Sequence, residues 1–254
     1  RLRRMLAEGH AKVEVTEFSP DEVKTVLSAE GFRGELFQQR QLELLRLPQN
    51  ISLFLEAGFA TVGAPQFNTA KELFDRYWDE KRRAVAARAA PLPEQWSDVI
   101  QLLCEEMART QQLSVPRENL DRFSGDYVGQ MASEGVLTFD SNRYGFGHES
   151  FFDYCFARGF VAKDQTLVEL LTASEQHLFR RAQVRQVLSY LRDADPSRYC
   201  NELRALLTDS RVRIHIKDLA VAVLVNVRYP GDEEWEVLQP WLNSELTAFS
   251  DGQR

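Results

Sequence analysis

Residues 137 to 158 constrain this chain more tightly than any other stretch. Leu137-Thr138-Phe139 alternates as a strand does, and Asp140-Ser141-Asn142 supplies a turn. Tyr144 and Phe146 then alternate with Arg143 and Gly145, so residues 137 to 147 read as a β-hairpin. Immediately afterwards Glu149-Ser150-Phe151-Phe152-Asp153-Tyr154, continued by Phe156-Ala157-Arg158, reads as an aromatic-rich helix. His148 stands at the junction. A helix start leaves backbone N–H groups unpaired and favours anions, so a histidine there is well placed to meet a phosphate.

The flanking order fits one arrangement. Residues 96 to 160 read as helix, short extended Leu113-Ser114-Val115-Pro116, two helices, hairpin and helix, which is the order of a winged helix. Tyr127 to Leu137 fills the slot of a recognition helix, with Gly135 as its stop. Its charge argues against DNA binding. Residues 99 to 160 carry nine acidic and five basic side chains, and 127 to 137 contain no Lys or Arg, whereas phosphate contacts supply most DNA affinity.

Upstream, Lys12-Val13-Glu14-Val15 alternates like a short strand. Ser19-Pro20-Asp21-Glu22 opens a helix with Ser19 as N-cap and Val23, Val26 and Leu27 on its buried face, ended by Gly31. A helical stretch from about Glu35 to Arg46 stops at Leu47-Pro48, and Ile51, Leu53, Phe54 and Leu55 begin the next apolar segment. Ala57 to Asn68 is a loop punctuated by Gly58, Gly63 and Pro65. Thr69-Ala70-Lys71-Glu72 reads as a capping box for a helix with Leu73, Phe74, Tyr77, Trp78 and Val85 on one face, and Pro91-Leu92-Pro93 marks a boundary.

Past residue 165, Leu167–Leu171, Phe179–Leu191, Tyr199–Leu207 and Val212–Val225 form successive amphipathic helices, broken at Asp193-Ala194-Asp195-Pro196 and at Asp209-Ser210. Asp209-Ser210-Arg211-Val212-Arg213, followed by Leu219 to Leu224, is similar to a HEAT-type repeat helix, so a solenoid that continues past Arg254 is expected. Between Arg180 and Lys217 nine basic residues face four acidic ones. This local excess reads as a solvated helical face, with a docking surface for an acidic partner or phosphate as the alternative. Glu105-Glu106 and Glu233-Glu234 likewise read as solvated.

Phe146, His148, Ser150, Phe151, Asp153 and Tyr154, continued by Ala157 and Arg158, resemble the end of the winged-helix domain in STAND-type, NACHT-like signalling NTPases. In that family a Phe-x-His-x-Ser/Thr-Phe-x-Glu/Asp-Tyr pattern sets its histidine against the phosphates of bound ADP. A proline of the helical domain packs on the adenine side, and Leu47-Pro48-Gln49-Asn50-Ile51-Ser52-Leu53 is the matching segment. The resemblance implies a mainly α chain in four parts. These are the edge strand ending an ATPase core (1–18), a small helical bundle (19–92), a winged-helix domain with a short β-hairpin (93–162) and HEAT-like α-solenoid helices (163–254).

The resemblance also implies a nucleotide-gated latch. ATP or ADP would be bound jointly with an upstream P-loop domain, with His148 as phosphate sensor and Pro48 on the adenine side. Its expected partners are that ATPase domain and a ligand or protein at the solenoid, with homo-oligomerisation on activation and an antiviral defence role both open. No catalytic site and no metal of this chain's own are expected. None of the thirteen glycines is followed by lysine and no apolar strand ends in paired acids, so the chain by itself lacks both Walker elements. A hydrolase reading of His148, Ser150 and Asp153 fails because residues two apart on a helix point away from each other. Cys104, Cys155 and Cys200 fit neither a zinc nor a disulfide spacing. No apolar run approaches the roughly 20 residues a bilayer requires, and a cytoplasmic location is expected. The alternatives are a winged-helix DNA-binding regulator and a passive helical scaffold, the latter with no role for His148.

Overall fold

The structure, a computed structural model, describes residues 17–251 apart from 174, 177, 226, 228 and 229. The expected strand at Lys12–Val15, and nearly all of the expected ATPase edge, lie outside the described residues. Twelve α-helices and one three-stranded antiparallel sheet make up the regular structure of the described residues. None of these helices is long and apolar enough to cross a membrane. The chain divides into two compact units, Arg1–Glu80 and Lys81–Arg254, and the division falls within one helix.

In the first unit, α1 (Pro20–Ala29) begins with a complete capping box. Ser19 Oγ accepts from the Glu22 N–H at 3.3 Å, and the Glu22 carboxylate accepts from the Ser19 N–H at 2.7 Å. The single helix expected from Glu35 to Arg46 is instead two short pieces, a 3₁₀ turn at Gly34–Leu36 and α2 (Gln39–Leu44), separated by extended Phe37. Burial of Phe37 explains the break. Its ring lies 6.3 Å from Phe32 and 5.5 Å from Phe54, a position that a continuous helix would forgo. α3 (Pro48–Glu56) starts on Pro48, whose missing N–H costs nothing at the first helical position. Phe54 on α3 is the hub of this core, with Phe32, Phe37, Phe59 and Phe67 all within 5.6 Å.

The loop that follows is held from inside. Buried Gln41 donates through Nε2 to the carbonyls of Pro65 and Phe67, both at 2.8 Å. α4 (Ala70–Ala89) is half-boxed: Thr69 Oγ1 accepts from the Glu72 N–H, but the Glu72 carboxylate reaches Asn68 N–H rather than that of Thr69.

In the second unit, α5 (Trp96–Thr110) leads to β1 (Val115–Pro116). The first of the two helices expected next is only a 3₁₀ turn, Arg117–Leu120, and the second is α6 (Gly125–Ser133), stopped by Gly135 at φ +73°. β2 (Leu137–Asp140) and β3 (Arg143–Phe146) pair as the hairpin, in the order β1-β3-β2, with Phe139 opposite Tyr144 and Asp140 opposite Arg143. Ser141 and Asn142 both take positive φ, 50° and 60°, the conformation whose twist suits a two-residue hairpin loop.

α7 (Glu149–Val161) packs on α5 and on α9 (Leu178–Ala194), with α8 (Leu167–Thr172) between them in sequence. α10 (Pro196–Thr208), α11 (Ile214–Val225) and α12 (Asp232–Asp251) complete the unit. α10 touches α8, α9, α11 and α12 and so lies at the centre of this helical group. Its buried face of Tyr199, Leu203, Leu206 and Leu207 joins Val184, Val187, Leu188 and Leu191 of α9 in one apolar core.

α10 also ties down the connection after α7. Arg198 Nη1 donates to the Val161 carbonyl at 3.0 Å and Nη2 to that of Gln165 at 2.8 Å, while its guanidinium lies 5.8 Å from the Phe160 ring centre. Buried Glu202 accepts from the Leu167 N–H at 2.8 Å. One α10 face therefore satisfies the Val161 carbonyl at the end of α7 and the Leu167 N–H at the start of α8, groups that helix geometry leaves open, together with the Gln165 carbonyl in the connection. Arg198→Ala should lower stability by about 2–3 kcal/mol, since hydrogen bonds from a charged donor are the strong ones. Urea unfolding of the chain measures it, and a loss under about 0.5 kcal/mol, the range of ordinary surface substitutions, would deny the clamp.

Candidate functional site: the His148 junction

The junction is built on a close backbone approach. The Gly147 N–H donates to the Val136 carbonyl at 2.9 Å, which extends the β2–β3 pairing one step past Phe146. A Cβ on Gly147 would overlap the carbonyl oxygen of Gly135, so only glycine fits where the chain turns from strand into helix. His148 follows as the N-cap of α7, in extended conformation (φ −121°, ψ 124°). Its carbonyl accepts from the N–H groups of Phe151 and Phe152. The side chain is half-buried and makes no capping hydrogen bond to the first turn.

The remaining motif residues sort by helical face. Phe151, Phe152 and Tyr154 are buried: Phe151 meets Phe146 edge-on at 5.9 Å and stacks on Tyr154 at 5.9 Å. Tyr154 Oη accepts from Arg158 Nη1 at 2.7 Å, and its ring lies 5.8 Å from Tyr190 of α9. Ser150 Oγ is buried and finds no hydrogen-bond partner among the described residues. Asp153 lies half-buried against α9, where Gln186 Nε2 donates to Oδ2 at 2.7 Å. Burial, with the Glu149 carboxylate one turn away, raises the Asp153 carboxyl to about 7, and Arg185 and Gln186 only partly oppose this. On the other side of α7, burial and the neighbouring Cys104 push the Cys155 thiol well up, so it stays a packing group.

Pro48 is half-buried at the first position of α3, in the Arg1–Glu80 unit. Within the Lys81–Arg254 unit the fold brings Phe146, His148, Ser150, Asp153 and Tyr154 to one end of α7 and its two flanks.

The two charged clusters differ in burial. All nine basic residues between Arg180 and Lys217 are exposed or half-buried, as a solvated face requires, and among the described residues six of them also have hydrogen-bond partners within the chain. Arg192 binds Glu234, Arg198 the carbonyls above, Arg211 Asp209, Arg180 Gln183, Arg204 Asn201, and Lys217 the Leu207 carbonyl. Glu234, by contrast, is not solvated as expected. It is 7% exposed and accepts from Arg192 Nε at 2.7 Å and from the Gly231 N–H at 2.8 Å, bonds that compensate for its burial.

Several structural polar residues escape a reading by local pattern. Gln176 bridges the Arg211 carbonyl and the Arg213 N–H, and Gln186, Arg198 and Glu202 all act across more than 30 residues of sequence. A glutamine or arginine with no local partner carries no signal of its distant one. Comparison of the chain with protein-family models and with curated proteins gives no match.

Proposed function

We propose that this chain is the regulatory arm of a STAND, NACHT-like signalling NTPase: helical domain, winged helix and the start of a HEAT-like sensor solenoid. The observation that carries the reading is His148 at the N-cap of α7, directly after the hairpin, with the other motif residues in helical order behind it. The order helix, β1, 3₁₀ turn, α6, β2–β3 hairpin and α7, with a three-stranded antiparallel sheet, supports the winged-helix part. The contacts of α9 with α10 and of α10 with α11, neighbours in sequence that also meet in space, support the helical-array part of the reading.

In this reading ADP is held between an upstream P-loop domain and this arm. His148 donates a hydrogen bond to a phosphate oxygen, the first-turn N–H groups of α7 favour the same anion, and Pro48 packs on the adenine side. Ligand at the solenoid, with exchange of ADP for ATP, releases the arm. A hydrogen bond to a charged group contributes about 1.5–3 kcal/mol, which biases the closed state about tenfold to a hundredfold and leaves it reversible.

His148→Ala in the full-length protein is therefore expected to speed ADP release by that factor and to allow activity at lower ligand concentration. The melting temperature of the 254-residue chain should change little, because the His148 carbonyl, not its side chain, closes the first turn of α7. Unchanged nucleotide exchange together with an unfolded variant would make His148 a structural residue and remove the sensor assignment.

A further inference from the structure

The seam between α7 and α9 contains a carboxyl group in an unusual setting. Asp153 is half-buried there, and its hydrogen bond comes from a neutral amide, Gln186 Nε2, at 2.7 Å. The charged groups that act on it are Glu149, one turn earlier on α7, and Arg185 on α9. Neither α5 nor β3, which also pack on α7, adds a charged group to that pair. Glu149 and Arg185 are both exposed, so water screens them, while Asp153 has lost part of its own hydration. The setting penalises the carboxylate and tolerates the acid. The Gln186 bond survives protonation, because the carbonyl oxygen of a carboxylic acid still accepts while its O–H lies on the other oxygen.

We propose that the α7–α9 seam is a proton-linked joint, in which Asp153 carries a proton while the seam is tightly closed and loses it as the pH rises, loosening the contact between the two helices. The inference does not rest on the nucleotide reading, since every group it uses lies within this chain. It places a response to pH in the helix that begins at His148.

The direction follows from proton linkage. Burial and Glu149 lift the Asp153 carboxyl to about 7 in the folded chain, whereas in the unfolded chain it returns to the ordinary Asp value of about 4. The folded state then holds the extra proton between those two values. Stability is greatest at the acid end of that window, falls as the pH rises through it, and levels off at its lowest above about 7.

Carboxyl ¹³C NMR of the full chain with labelled aspartate tests this directly. One aspartate resonance should titrate near 7, move to lower pH in Glu149→Gln, and be missing in Asp153→Asn. In urea unfolding between pH 5 and 7, the wild-type folding equilibrium should fall relative to Asp153→Asn by up to tenfold per pH unit, one proton's worth. Amide exchange of α7 and α9, corrected for its intrinsic pH dependence, should quicken from pH 6 to 8 in the wild type and stay level in Asp153→Asn. If every aspartate of the wild type titrates below about pH 5, or if the two stability curves run parallel, the joint does not exist. Should Asp153→Asn fail to fold, the wild-type titration and its displacement in Glu149→Gln decide the matter alone.

Discussion

Phe151→Ala is expected to lower the stability of the chain by about 3–5 kcal/mol, the range for truncating a buried phenylalanine. Phe151 is fully buried at the first turn of α7. Its ring meets Phe146 of the hairpin on one side and stacks on Tyr154 on the other. Alanine would leave a cavity that neither neighbour can fill, because Phe146 is fixed by strand pairing and Tyr154 by its bond to Arg158. A lower urea midpoint at unchanged m-value would register the loss. A loss below about 1 kcal/mol would show that the hairpin and helix do not share one core. The contrast with His148→Ala is informative, since two residues three apart on the same motif should separate stability from switching.

Gly147→Ala should cost about 2–4 kcal/mol although it adds a single methyl group. The obstacle is the carbonyl of Gly135, and backbone cannot rotate aside as a side chain can. Relief would require the last pairing step, Gly147 N–H to the Val136 carbonyl at 2.9 Å, to open. Opening it would move the strand end that sets where His148 begins α7. The substitution should therefore lower thermal stability and quicken amide exchange at Gly147 and at the start of α7, while the α9–α12 helices keep their protection. Wild-type protection at Gly147 in the alanine variant would refute the close-approach argument.

Local features of this chain are readable wherever neighbours in sequence decide them. Ser19 and Glu22 form the capping box their spacing implies, the helix before Leu47-Pro48 ends ahead of that pair, Gly31 and Gly135 follow helix ends at positive φ, and Ser141-Asn142 turns the hairpin. Asp195-Pro196 separates α9 from α10 as its composition suggests, with the Asp195 side chain accepting from the Arg198 N–H at 3.0 Å. Each of these outcomes depends on one turn of backbone and on steric rules that hold in any fold.

Where the reading by sequence departs from the structure, a distant partner is responsible. Glu35 to Arg46 has the composition of one helix, but the Phe32, Phe37 and Phe54 rings draw Phe37 out of it. Glu233-Glu234 looks like a solvated pair until Arg192, 42 residues earlier, covers Glu234. Within the cluster of cations after Arg180, Arg198 and Lys217 bind backbone carbonyls that no local pattern indicates. Burial and pairing are set by which helices meet, and no periodicity of one segment encodes that.

For the candidate site the same division holds. The sequence by itself determined that a hairpin runs into an aromatic helix with His148 at its mouth, because alternation, turn residues and helix-start chemistry are all local. Only the tertiary structure decided that Gly147 must be glycine, that Asp153 lies against α9 with Gln186 as its hydrogen-bond donor, and that Arg198 binds the end of α7 while Glu202 binds the start of α8. Those outcomes depend on desolvation and on contacts between segments more than 10 residues apart, which exist only once the helices have packed.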